Sequence, residues 1–160
     1  MLILIEGNEG VGKTILIEQL SSRLRFITVK YPAGHFAQLD RTLESFAYSD
    51  DLFVLDRGFV SDMVYRIRDK KRGQTSLAFI ANLCESGLVK IILCDNPGGY
   101  KNAMERGETN VVLKKDHDDI TVTFNKIKQL LTSFTNVPIM SYDYSLQNVD
   151  DVVNFIKEDK

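Results

Sequence analysis

The chain has 160 residues, the length of one ordinary domain, with 44% hydrophobic residues, 26% charged residues and a net charge of −2. That near-neutral balance leaves no electrostatic footprint for nucleic acid, and no apolar run approaches the length that crosses a bilayer, so neither partner is expected. Cys84 and Cys94 are the only cysteines, too few for a disulfide framework, and fit a reduced, cytoplasmic setting.

Leu2–Glu6 (LILIE) is a near-continuous apolar run, the pattern of a parallel strand covered on both faces. Charge and glycine follow at once, unlike a signal peptide. Lys13–Leu24 places Ile15, Leu16, Leu20 and Leu24 at helical spacing. Phe26–Lys30 (FITVK) is β-branched and reads as a strand. Gln38–Tyr48 reads as a helix through Leu39, Leu43 and Phe46, and Leu52–Asp56 (LFVLD) as a strand. Two helical patterns follow, FVSDMVYRIRD and TSLAFIANLCESG, the second stopped by Gly87. Leu88–Asp95 is a strand in which Cys94 is expected to be a buried thiol.

Beyond Pro97 the pattern becomes irregular and is expected to form a lid segment at about 99–116. From there Ile120, Phe124, Ile127, Leu131 and Phe134 repeat along one helix face, preceded by an acidic first turn, Asp116 to Asp119, that suits the helix dipole. Val137–Ser141 is a short strand and VDDVVNFIKE a last helix. No repeat, low-complexity tract or linker interrupts the series. The order βαβαβααβα(lid)αβα predicts one α/β domain over 1–160, with a parallel sheet of about five strands in a three-layer arrangement.

The turn after the first strand carries the chemistry. Gly7-Asn8-Glu9-Gly10-Val11-Gly12-Lys13-Thr14 fits G-x-x-x-x-G-K-[ST], the phosphate-binding loop. Glycines let successive N–H groups face one concave side, and the following helix adds the positive end of its dipole. Lys13 supplies a mobile charge for the β and γ phosphates, and Thr14 a hydroxyl for Mg²⁺. A strand before and a helix after are the context the motif requires. A second signal closes the third strand, where four apolar residues lead to Asp56, a carboxylate at the strand end where a nucleotide's metal sits. Arg57 beside it offers a planar, five-donor group suited to a phosphate.

These motifs resemble the thymidylate kinases, within the wider nucleoside and nucleoside-monophosphate kinases. The family's loop reads E-G-x-[DE]-G-x-G-K-[ST], matched here by Glu6 through Thr14. Its later motif, D-R-Y-x-x-S-x-x-A-Y-Q, is matched at Asp56, Arg57, Ser61 and Tyr65, with Val64 close. Lys30-Tyr31-Pro32 is similar to the family's corner after the second strand, and AMERGE (Ala103–Glu108) to the start of its lid. The resemblance covers most of the chain. It implies a P-loop fold of the nucleoside-monophosphate kinase type, with ATP and Mg²⁺ as cofactors. The implied reaction is transfer of the γ-phosphoryl to a (deoxy)nucleoside monophosphate, dTMP or a related pyrimidine nucleotide. Glu9 would then sit near the acceptor's sugar hydroxyl, Asp56 would serve the magnesium and Arg57 the phosphate being extended. Ser61, Tyr65 and Arg66 would line the acceptor's base. A homodimer is the assembly the resemblance implies.

The chain departs from that pattern at Gly58, in place of an aromatic residue, and at Arg66, in place of glutamine. The stretch between Pro32 and Asp56 is shorter than in the family, so part of the acceptor pocket is missing or rebuilt. No carboxylate stands at the Lys30-Tyr31-Pro32 corner to serve as a nucleoside kinase's base, which favours an acceptor whose phosphate is already ionised. Lid cations are expected to meet the transferring group, with Arg106 a catalytic candidate and Lys114 and Lys115 candidates for the nucleotide. Tyr31 and Phe36 are candidates to stack on a base.

Asp95-Asn96-Pro97-Gly98 fits a GTPase switch motif but follows the fourth strand, the wrong place, and NKIK lacks the aspartate a guanine motif needs. His35 and His117 have no metal-ligand spacing and read as structural. Two other functions remain open. One is a kinase of nucleosides or small alcohols, with Asp40 or Glu44 as base. The other is a regulatory nucleotide-binding protein without catalysis.

Overall fold

A computed structural model describes residues 1–30, 39–69, 77–107 and 113–158, and of Leu39, Asp40 and Leu77 the backbone alone. Tyr31, Pro32, His35 and Phe36, the start of the expected helix at Thr75 and Ser76, and 108–112 of the lid lie outside these residues. The elements run β1 (Leu2–Glu6), α1 (Lys13–Ser21), β2 (Ile27–Lys30), α2 (Leu39–Ala47), β3 (Phe53–Asp56) and α3 (Phe59–Arg68). They continue with α4 (Leu77–Glu85), β4 (Val89–Cys94), α5 (Gly99–Glu105), α6 (Lys114–Phe134), β5 (Ile139–Tyr142) and α7 (Val149–Lys157).

The five strands form one parallel sheet in the order β2-β3-β1-β4-β5. The apolar run of β1 places it in the middle, where all five of its residues are buried. Its side chains alternate between two cores, as strand geometry requires. Leu2 and Leu4 join Leu55, Ile91 and Leu93 against α2, α3, α4 and α6. Ile3 and Ile5 join Val54, Ile92 and Cys94 against α1 and α7. The result is a three-layer α/β fold, the class the alternation of elements predicts.

Local differences have local causes. Helix α1 stops at Ser21 instead of running to Leu24, and the chain turns there with Arg23 and Leu24 amides on the Leu20 carbonyl. Leu24 still packs beside the second core, which explains its place in the helical pattern. Strand β5 starts at Ile139, because Val137 is spent on the first core and Pro138, which has no N–H, offers only its carbonyl to the β4 residue Ile91. Helix α6 begins two residues early, at Lys114, and α5 gives regular structure to the first half of the expected lid.

The carboxyl ends of β2, β3 and β1 carry Lys30, Asp56 and Glu6: register sets Asp56 level with Lys30 on one side and Ile5 on the other, and Glu6 follows one residue beyond. Ligands of parallel sheets bind along this edge.

Candidate active site

The turn from β1 to α1 leaves the sheet at this edge. Gly7, Gly10 and Gly12 have φ of 138°, 72° and 92°, a backbone that side chains rarely adopt. Two of these glycines also keep space clear. A Cβ at Gly10 would lie 2.0 Å from the Gly99 carbonyl oxygen, and one at Gly12 2.5 Å from the Tyr144 ring. Gly12 is the N-cap of α1 and no side chain caps that helix, so its first N–H groups are left for an anion.

Over this turn lies a cleft of about 370 Å³, lined by Glu9, Gly10, Gly12, Lys13, Thr14, Lys30, Asp56, Arg57, Arg106 and Gly107. Lys13 is buried, and its ammonium donates to the Gly7 carbonyl at 3.1 Å and the Asn8 carbonyl at 2.5 Å. Burial, then the like charge of Arg57, lower its pKa to about 8, against the pull of Asp56. Thr14 is exposed toward the cleft. Asp56 Oδ1 is buried without a hydrogen-bond partner among the described residues. An orphaned buried carboxylate oxygen and an exposed hydroxyl lining one cleft are a donor set that fits a hard divalent cation.

Arg57 has φ 73°, the only positive φ outside glycine among the described residues. Its amide still donates to Ile5 at 3.0 Å, so the β-ladder extends one residue past Asp56 while the backbone turns over. Its guanidinium donates to the Tyr65 hydroxyl at 2.9 Å and lies 5.3 Å from that ring's centroid. Arg68 lies 4.9 Å from the same centroid, and Phe124 meets the ring edge-on. Tyr65 thus braces two cations, and it does not line the cleft.

The other expected residues fall into three groups. Gly7, Asn8 and Val11 form the buried underside of the loop. Ser61 and Arg66, expected on the acceptor's base, are bonded elsewhere and do not line the cleft. Ser61 gives its amide (3.1 Å) and hydroxyl to Glu6, and Arg66 pairs with Asp62 at 2.5 Å. Lys114 and Lys115, expected on the nucleotide, stand instead on the exposed first turn of α6, where Lys114 pairs with Asp118 at 2.6 Å. Tyr31 and Phe36 lie outside the described residues.

The sequence patterns assign no site role to Glu6 or His117, and Lys30 figures in them only as part of a corner. Glu6 is fully buried and accepts from the amides of Val60 and Ser61, each at 3.1 Å, which caps α3 with a carboxylate from β1. Burial raises its pKa to about 7, opposed by the hydrogen bonds of Ser61 and Val60 and by Arg57. His117 is buried against the phosphate loop, its Nε2 3.0 Å from the Glu9 carbonyl. Asn102 donates to the Gly10 carbonyl at 3.2 Å and to the Tyr144 hydroxyl at 2.9 Å, which ties α5 to the same loop. The only advance signal for these contacts was polarity at otherwise apolar places.

No protein-family model and no curated protein sequence matches the chain. Solved structures do match. The YorR protein in complex with phosphorylated GDP, from Bacillus subtilis, aligns with TM-score 0.73 and 21% identity over 98% of this chain and 93% of its own. Deoxyadenosine kinase from M. mycoides with bound dCTP aligns with TM-score 0.63 and 15% identity over 98% of each chain. The same enzyme with bound dATP gives TM-score 0.63 and 16% identity over 99% and 100%. At such identities the likeness is one of fold, and it reaches nucleoside kinases while the narrower link to thymidylate kinases rests on the motifs alone. The chain has the three-layer α/β fold of the P-loop kinases.

Proposed function

We propose that the chain is an ATP-dependent kinase that passes the γ-phosphoryl group to a (deoxy)nucleoside monophosphate. The observation that carries this is the charge of the cleft. Four cations, Lys13, Lys30, Arg57 and Arg106, converge there with two carboxylates, Glu9 and Asp56. A cleft so charged suits two phosphorylated ligands. Lys30 at the end of β2 is the decisive member. It puts a cation where a nucleoside acceptor would call for a base, while Glu44 is exposed on α2 and outside the cleft lining. An acceptor phosphate is already ionised and needs no base.

Lys13 would exchange its two carbonyl partners for the β and γ oxygens of ATP. Thr14 and Asp56 would hold Mg²⁺, which would neutralise charge on those phosphates. Arg57 would orient the acceptor phosphate, with its guanidinium steadied by Tyr65. Arg106, at the C-terminal end of α5, would meet the transferring group. The work is positioning and charge stabilisation, since loose phosphoryl transfer needs little covalent help. The motif resemblance names dTMP as the first acceptor to try. The bonds of Ser61 to Glu6 and of Arg66 to Asp62 favour other residues for base selection.

A second reading, a nucleoside kinase, draws on the deoxyadenosine kinase fold likeness and on Glu9, a cleft carboxylate that could take a hydroxyl proton. The test is ADP formation from ATP and Mg²⁺ with each monophosphate and nucleoside in turn. Turnover on a monophosphate, lost in Lys13→Ala and Asp56→Ala, is expected. Turnover on nucleosides alone would overturn the first reading in favour of the second. ATP binding without turnover on any acceptor would leave a regulatory nucleotide-binding protein.

A further inference from the structure

Glu9 is the one residue of the phosphate loop whose carboxylate lines the cleft. Its charge acts on Arg57, Tyr65 and Arg68, the α3 side of the site. Both of its peptide groups are held by side chains. Its amide donates to Asn8 Oδ1 at 2.8 Å, and its carbonyl lies 3.0 Å from His117 Nε2. A carbonyl can only accept, so Nε2 carries the proton. Asn8 Nδ2 then donates to the His117 carbonyl at 2.8 Å and to Thr121 Oγ1 at 3.0 Å. Asn8 and His117 are themselves buried, so the first two turns of α6 are bolted to two neighbouring loop residues, Asn8 and Glu9.

The next residue makes the bolt necessary. Gly10 has φ 72° and no Cβ, so little in its own covalent structure resists rotation of the peptide between Glu9 and Gly10. The imidazole that resists it is seated by its surroundings. Tyr100 packs edge-on at 5.8 Å between centroids, and Gly99 leaves room where a Cβ would come within 3.2 Å of the ring.

We propose that His117, with Asn8, is a positioning residue for the acceptor: it fixes the Glu9 peptide so that the carboxylate meets the acceptor's sugar hydroxyl. The inference rests on the kinase reading above, together with the acceptor-side place that the motif resemblance implies for Glu9. It separates the loop into two functions. The amides from Gly10 onward and Lys13 serve the donor's phosphates, and the Glu9 peptide, set by α6, serves the acceptor.

Two amide substitutions that differ only in reach test it. His117→Gln places its Nε2 about as far from the backbone as the imidazole's, and His117→Asn falls short. Steady-state kinetics on the monophosphate the wild type uses should give an acceptor KM raised about tenfold in His117→Asn, the loss of one hydrogen bond. The KM for ATP should stay within about twofold, and His117→Gln should recover most of the loss. In a Glu9→Gln background, His117→Asn should add little, because the group it positions is already neutral. The proposal is overturned if both KM values rise together, if Gln and Asn behave alike, or if the Asn effect persists undiminished in the Glu9→Gln background. A wild-type chain that turns over no monophosphate overturns the functional reading instead, and this inference falls with it.

Discussion

Lys13 joins a demand for charge to a place that resists it. Burial and Arg57 hold its pKa near 8, down from the usual 10.5, so the neutral amine is within reach of mildly alkaline conditions. Phosphate oxygens favour the ammonium form, so on the proposed function ATP binding would take up a proton once the free protein has lost it. ATP affinity is therefore expected to hold up to about pH 8 and then fall by up to about tenfold per pH unit. Binding titrations at several pH values check this, and a flat profile to pH 10 would place the ammonium away from the phosphates. Arg57 is the other residue under tension. Its left-handed backbone costs about 1–2 kcal/mol, a strain that concentrates at functional sites and is here held by the Ile5 carbonyl and Tyr65. The motif spacing marked Asp56 and Arg57 for attention, because the strand and its end are contiguous in sequence. It could not mark which side chains would be taken up by neighbours, and Ser61 and Arg66 turn out to be committed to Glu6 and Asp62.

At the scale of elements, two junctions decide the site. The first is the phosphate loop against α5. Gly10→Ala adds both left-handed strain and a clash with the Gly99 carbonyl, and should destabilise the fold by about 3 kcal/mol. Gly107 has a similar φ, 66°, but nothing within 4 Å among the described residues, so Gly107→Ala should cost about 1 kcal/mol. Denaturant unfolding of the pair separates backbone strain from close packing, and equal losses would dismiss the clash. The second junction is Glu6 under the first turn of α3. Its pKa is about 7 in the fold against an ordinary 4.5, so the folded chain holds this proton more tightly than the unfolded one. Its contribution to stability is full below about pH 4.5 and declines as pH rises to about 7, by about 3 kcal/mol. Glu6→Gln cannot titrate. The stability difference between wild type and variant should therefore shift by that amount across the window, and a constant difference would show that Glu6 keeps an ordinary pKa.

The molecule as a whole is a five-strand sheet between two apolar layers, and its two faces are unequal. The face holding α1 and α7 has fewer helices, and a buried lysine helps fasten it. Lys90 on β4 donates to the carbonyls of Phe155, Ile156 and Glu158 at 2.7, 3.0 and 2.5 Å, at the end of α7. A cation on the last carbonyls of a helix satisfies groups that have no helical partner and complements the dipole. Lys90→Met keeps the apolar stem and removes these bonds, at about 2–3 kcal/mol. For a chain of this size the melting temperature should drop by about 5–10 °C, read by thermal unfolding. An unchanged midpoint would mean that α7 is held by its apolar face alone.

The sequence by itself determined the strands, the helices, the α/β class and the phosphate loop, because each depends on residues near one another in the chain. Alternation and helical spacing are local patterns, and the loop's own glycines permit its turn. What only the tertiary structure decided is which distant groups meet. Strand order brings Lys30, Asp56 and Glu6 to one edge, α6 brings His117 back onto Glu9, and α5 brings Arg106 over the loop while Lys114 and Lys115 are left in solvent. Packing makes these choices across long separations, and the pattern of one segment does not contain the position of another.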